Sequence, residues 1–229
     1  MKLVILEGPV DLQFFKSFII KQMKGKDVTK EKRDVIYMFK NLLTENPEMA
    51  RVEVLFSGNE VVILLSTGSK GSFKIIAEGI KPLINALKKE RLNITSILFI
   101  ADKDAESEVV YSERIIREKL EREGWKISVE HILYNNFLED LILGIVDMIA
   151  KKSSRNINAE LLRDLLNIIE EQYSNDRYLR KRKVGIIHAI IGPRCFGHLF
   201  DEIFQFFDNP DHLTRNFSVL SKFGEWLTK

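Results

Sequence analysis

Two acids spaced two residues apart, Asp102 and Asp104, end the apolar run Leu98-Phe99-Ile100-Ala101. Side chains on an extended segment alternate sides, so both carboxylates point into one small volume just past a strand end. They repel each other unless a cation sits between them. Hard carboxylate oxygens suit a divalent ion, Mg²⁺ or Mn²⁺. A second apolar run, Lys2-Leu3-Val4-Ile5-Leu6, stops in the same way at Glu7-Gly8-Pro9-Val10-Asp11.

Both runs are short and nearly continuous in apolar residues. That pattern marks strands buried on both faces, as in a parallel sheet covered by helices. In an open α/β sheet of order 2-1-3-4, strands 1 and 3 are neighbours at the switch point, where ligands bind. With these runs as core strands 1 and 3, Glu7 meets Asp102 and Asp104. The predicted fold class is α/β: a mostly parallel sheet flanked by helices, followed by an all-helical C-terminal region.

Glu7-Gly8 after a first strand, with Asp102-x-Asp104 after a later one, resembles the Toprim domain. That domain occurs in topoisomerases, bacterial-type primases and nucleases of the overcoming-lysogenization-defect (OLD) family. The spacing Glu7-Gly8-x-x-Asp11 is most similar to OLD-type and small stand-alone Toprim proteins. The resemblance covers about the first 140 residues, within an expected α/β domain over 1–150 that carries an insertion over about 25–58; residues 151–229 form the helical region. That region resembles the tail of a small Toprim-like family without a known activity, through Phe207-Asp208-Asn209-Pro210 and the terminal Trp226-Leu227. The resemblance implies metal-dependent phosphoryl transfer, most simply phosphodiester hydrolysis. Asp102 and Asp104 would hold the metal, and Glu7 would bind metal or act as general acid/base. It also implies a further ligand after the fourth core strand. Glu139, in Leu138-Glu139-Asp140-Leu141, is the candidate, and a helix N-terminal acid pair is the other reading.

Taken in order, the first strand is followed by Gly8, which permits a tight turn, and Pro9, which cannot continue a ladder. Asp11 opens a helix to about Met23, either as a first-turn acid or in support of a metal; the two are compatible. Residues 24–34 read as a charged loop before a short helix over 35–44. The runs 51–56 and 60–66 read as a hairpin around Ser57-Gly58-Asn59. Ser66-Thr67-Gly68-Ser69-Lys70-Gly71-Ser72 opens a helix over 72–91. Its small residues and Lys70 suit a phosphate held by backbone N–H groups and an ammonium, with Gly68 and Gly71 in support. An ordinary well-capped turn has the same composition, and Walker A spacing is absent. The resemblance assigns Lys70 a catalytic role, offsetting charge on the phosphate. Pro82 kinks that helix or divides it. Helices over 108–123 and 139–151 flank a strand over 125–132. Gly124 suits a helix C′ position, and Glu106 and Glu108 read as first-turn acids in solvent.

Beyond 151 an amphipathic helix is expected over 158–173, and a final helix over 213–227. Arg180, Lys181, Arg182 and Lys183 belong to a dense basic cluster, a grip for a phosphate backbone or a solvated face. Phe196, Phe200, Phe204 and Phe207 form a stripe that suits a core or a dimer seam better than a base-stacking platform. The four histidines make no zinc-type pair, and Cys195 has no histidine at convincing spacing to serve as its base.

The chain has 35 basic and 33 acidic residues, so it does not coat nucleic acid by bulk charge. A single cysteine excludes an internal disulfide and fits a reducing compartment. No apolar run reaches the ~18 residues of a membrane span, and no signal peptide is recognisable. The expectation is a cytoplasmic protein acting on DNA or RNA. A homodimer is plausible from the aromatic tail. OLD-type nucleases usually carry an ATPase domain and no ATPase motif is present here, so the chain would act alone or with an ATPase in trans. The alternative is a non-catalytic Toprim-like module that binds metal, nucleotide or a protein partner.

Overall fold

Strand β1 (Lys2–Leu6) is buried along its whole length, which is why Leu3–Leu6 is uninterruptedly apolar. The computed structural model describes residues 1–43, 50–66, 72–134, 138–152, 164, 167–172, 179, 182–186, 196–205 and 207–229. Glycines 68 and 71, Lys70, Arg180, Lys181 and Cys195 lie outside the described residues.

After β1 come α1 (Pro9–Gln22), β2 (Lys26–Asp27), a 3₁₀ turn (Thr29–Glu31) and α2 (Arg33–Leu43). Next are β3 (Arg51–Ser57), β4 (Glu60–Ser66), α3 (Ser72–Lys89) and β5 (Ser96–Asp102). A second 3₁₀ turn (Lys103–Ala105) leads to α4 (Glu106–Arg122), β6 (Ser128–Tyr134) and α5 (Leu138–Lys152). The chain closes with α6 (Phe196–Gln205), α7 (Asp211–Thr214) and α8 (Ser218–Thr228). The expected helix over 158–173 is described only at 164 and 167–172, which are helical.

The six strands run in the order β2-β3-β4-β1-β5-β6. Strand β1 pairs parallel with β4 and β5, and β5 pairs parallel with β6. The core order β4-β1-β5-β6 is the expected 2-1-3-4. Strands β3 and β4 form the expected antiparallel hairpin. Its loop is Gly58-Asn59, and Gly58 takes a φ of +60°, as the first position of a type II′ turn requires. The predicted charged loop holds the two-residue strand β2, which pairs antiparallel with β3.

Alternate residues of each strand serve opposite faces. Val4, Leu6, Val62, Leu64, Leu98 and Ile100 face one cluster with Phe14, Phe15 and Phe18 of α1. Leu3, Ile5, Ile63, Leu65, Ile97 and Phe99 face the other, with Phe39 of α2, Ile80 of α3 and Ile116 of α4. Of the aromatic stripe, Phe200, Phe204 and Phe207 are core. Phe200 meets Phe14 edge-on at 5.4 Å, and Phe204 packs on Phe14 and Phe18. The C-terminal helices thus complete the layer over the α1 face.

Two buried polar side chains fix that layer. Lys2 Nζ donates to the carbonyls of Trp226 (3.0 Å) and Leu227 (2.8 Å) at the end of α8. Gln22 Nε2 donates to those of Phe204 (2.7 Å), in the last turn of α6, and Phe207 (3.0 Å), just beyond it. Lys2 satisfies last-turn carbonyls that a helix leaves unpaired, and Gln22 ties down the exit from α6. The predicted final helix is divided at 215–217. Asn216 Nδ2 donates to His212 O at 2.7 Å, closing α7, and Phe217 takes an extended conformation ahead of α8.

Helix α3 runs without interruption through Pro82. Proline withholds the N–H that would bond Glu78 O. Lys119 Nζ of α4 reaches that carbonyl at 3.3 Å and Ala77 O at 2.8 Å. Gly124 follows α4 with a φ of +66°, the expected C′ position. No helix among the described residues is long and apolar enough to cross a membrane.

Candidate acidic site at the carboxyl edge of the sheet

The register places the ends of β1, β5 and β6 side by side. Leu6 pairs with Ile100, and Asp102 with Tyr134. Glu7 is therefore one residue past the end of β1, beside the end of β5. Its Oε2 accepts the Asp102 N–H at 3.3 Å. Asp102 ends β5, and Asp104 lies exposed in the 3₁₀ turn that follows.

Asp11 sits in the first turn of α1 and does two things there. One oxygen accepts the Gly8 N–H at 3.1 Å, which caps the helix. The other faces the Tyr134 hydroxyl at 3.5 Å. The first-turn capping reading of Asp11 therefore describes it. Gly8 has an extended φ of −131°, so backbone freedom is not the reason for glycine here. Space is: a Cβ on residue 8 would stand 2.9 Å from Asp11 Oδ2. Gly8→Ala should push that carboxylate toward solvent and leave the thermal midpoint within about 2–4 °C of wild type. Carbon-detected NMR titration of Asp11 would then report a value closer to an ordinary aspartate. An unchanged titration would show that the glycine has no such role.

The acids act on one another. Burial and then the charges of Asp102 and Glu7 push the Asp11 carboxyl up to about 7, with Glu139 adding to the effect. Burial, then Glu7, Glu139 and Asp104, push Asp102 up to about 7 as well; a hydrogen bond from the Leu138 N–H opposes the rise. Among the described residues, no cation is a leading influence on either group. Burial and the same acids hold the Tyr134 phenol well above its usual range. Desolvation and like charge both favour the protonated carboxyl.

The structure thus brings Glu7, Asp11, Asp102 and Glu139 into mutual electrostatic reach, with Asp104 at the margin beside Asp102. Glu139, in the first turn of α5, belongs to this group through its charge. Among the described residues, no three His, Cys, Asp or Glu side chains stand at metal-ligand spacing. The reason is visible in the hydrogen bonds: Glu7 is turned to a backbone N–H, and Asp11 to another and to a phenol. As donors, hard carboxylate oxygens of this kind suit a divalent cation.

Tyr134 is the site residue that the sequence reading missed. The predicted strand stopped at 132, whereas β6 continues to Tyr134; alternation with Ile132 was the available signal. Glu108 is not a solvated acid. Its Oε1 accepts the Phe73 N–H at 3.2 Å, capping the start of α3 from α4. Glu106 is exposed as expected. Arg182 is exposed, while Lys183 is engaged by Glu170.

Among solved structures, the chain is similar to a hypothetical protein from Pyrococcus horikoshii OT3. The TM-score is 0.48 at 16% sequence identity, over 93% of this chain and 98% of that one. No family model and no curated protein matches the chain.

Proposed function

We propose that this chain is a Toprim-type, Mg²⁺- or Mn²⁺-dependent phosphoryl-transfer protein, and most simply a phosphodiester hydrolase of the cytoplasm. The observation that carries the reading is the meeting of Glu7, Asp11, Asp102 and Glu139 at the switch point of a 2-1-3-4 core. Such a concentration of half-buried carboxylates is costly to a protein that makes no use of it.

Asp102, Asp104, Glu7 and Glu139 would hold the ion. When bound, it supplies Lewis-acid stabilisation of charge on phosphate oxygens. The remaining work belongs to the chain. The Asp102 N–H holds one oxygen of Glu7, leaving the other either to bind the ion or to accept a proton from an attacking water. The Leu138 N–H orients Asp102, and Tyr134 and the Gly8 N–H fix Asp11 behind it. Lys70 would offset charge on the phosphate. DNA or RNA as substrate, an ATPase acting in trans and a homodimer are the partners this reading admits. A second reading, binding without turnover, draws on the absence of a ready-made three-ligand cage among the described residues.

Calorimetric titration of Mn²⁺ into the wild type and Asp102→Asn is the test. Loss of an outer-shell partner costs roughly 10–100-fold in metal affinity; loss of Asp102 should cost more. Asp104→Asn should abolish cleavage of oligonucleotides with the fold intact. Equal Mn²⁺ affinity in wild type and Asp102→Asn would overturn the metal assignment. Binding without cleavage of any nucleic acid would favour the second reading.

A further inference from the structure

An acidic edge repels a polyanion, so a polymeric substrate needs a positive surface elsewhere. Of the basic cluster at 180–183, Lys183 is already engaged by Glu170, and Arg180 and Lys181 lie outside the described residues. A stronger surface lies at the far end of α1. Lys21, Lys24, Lys26, Lys30, Lys32 and Arg33 are all exposed. None of the six makes an ion pair among the described residues. Lys81, Arg117, Arg122 and Arg215, by contrast, each meet a carboxylate.

The concentration of charge is local. Residues 21–34 hold six basic and three acidic side chains, a net of three positive, whereas the whole chain carries +2. One of the three acids, Asp27, is bound inward by Lys16 at 2.7 Å. Lys24 keeps its charge at a left-handed φ of +56°, the position after a helix where glycine is favoured. Lys30, Lys32 and Arg33 crowd the start of α2, where the positive end of the helix dipole adds to their repulsion. One helical turn beyond Arg33 stands Tyr37, 71% exposed and the most exposed large apolar side chain among the described residues.

We propose that residues 21–37 form the surface that holds a single-stranded nucleic acid, with the lysines on its phosphates and Tyr37 stacked on a base. Cationic grooves with an exposed aromatic bind single strands in this way, without sequence preference. A lone aromatic is a poor wedge for a bilayer, which favours the strand over an anionic membrane. Helix α1 extends 11 residues beyond Asp11, about 16 Å. A single strand must contribute several nucleotides to bridge that distance. The surface therefore selects a polymer over a small phosphorylated substrate. This extends the reading above by naming the substrate class, and its test needs no metal and no turnover.

The experiment is fluorescence anisotropy of a labelled single-stranded oligonucleotide of about 20 nucleotides, in chelator, over about 50–200 mM salt. Wild-type protein should bind, with affinity falling steeply as salt rises. Lys26→Glu/Lys30→Glu/Lys32→Glu should lose about tenfold or more in affinity and flatten the salt slope. The same three positions changed to Gln should fall between. Tyr37→Ala should lose affinity and keep the wild-type slope, because stacking releases no counterions. All these changes are at the surface, and circular dichroism checks that each variant is folded. No binding by wild type at the lowest salt overturns the proposal, as does equal binding by the charge-reversed variant. Tighter capture by phosphatidylserine vesicles than by the oligonucleotide also overturns it. Binding that persists in Asp102→Asn, with or without cleavage in wild type, separates this surface from the metal assignment.

Discussion

In chelator, the protein is expected to be more stable near about pH 5 than near about pH 8. Asp11 and Asp102 titrate at about 7 in the folded chain and near about 3.9 when unfolded. Between those values the folded state holds protons that the unfolded state has released. Unfolding free energy therefore falls as pH rises through that window. Below it both states are protonated and the penalty vanishes; above it the penalty is complete. The loss is on the order of 4 kcal/mol for the site: burial leads for both groups, the repulsion they share is counted once, and the half-exposed Asp102 is discounted for solvent screening. In a chain of this size that is on the order of 10 °C in thermal midpoint. Asp102→Asn should flatten the dependence and stabilise the chelated protein at high pH. Differential scanning calorimetry across the window decides the matter, and a midpoint that climbs toward pH 8 in chelator would contradict the electrostatic account. Added Mn²⁺ should raise the midpoint at high pH far more than at low pH, since only ionised carboxylates hold it.

Lys2→Met is expected to have the second largest effect. Lys2 is only 5% exposed, and its ammonium bonds two carbonyls at the end of α8. Its body lies near Trp226, 5.4 Å from ammonium to ring centroid. Burial lowers the pKa of the ammonium, with the Glu60 charge acting in the opposite sense. Methionine preserves the stem and removes both hydrogen bonds. Bonds to a charged group contribute about 1.5–3 kcal/mol each, so a net loss of about 3 kcal/mol is expected after the relief of desolvation. Thermal unfolding should shift down by roughly 6–12 °C, and hydrogen exchange should speed first in α8. If exchange in α8 is unchanged, the ammonium is not what fixes that helix.

The sheet was legible because buried strands leave an apolar signature, and the acids were legible because they end those runs. Glu7, Asp102 and Asp104 needed only strand ends and a neighbour rule. What escaped notice depends on partners distant in sequence. Nothing near Glu108 announces that it caps Phe73, and nothing near Lys2 announces Trp226. Tyr134 escaped because the strand end was set two residues short, and a strand end decides which side chain meets a site. The phenylalanine stripe of α6 was readable as core, but periodicity does not say which face of the sheet it covers. Gly8 was assigned to the right place for the wrong reason: it makes room for a carboxylate and needs no unusual backbone angle.

The sheet order also fixes when the acidic edge comes into being during folding. The central strand β1 has no sequence-local partner. Its neighbours are Val62–Ser66 on one side and Ser96–Ile100 on the other. The β3–β4 hairpin closes over two residues and can form early, whereas β1 must wait for loops of many tens of residues to close. Glu7 and Asp102 come together only in that last pairing. A chain with every helix formed and its hairpin zipped would still have no acidic edge, so the cluster belongs to the finished molecule and to none of its early intermediates.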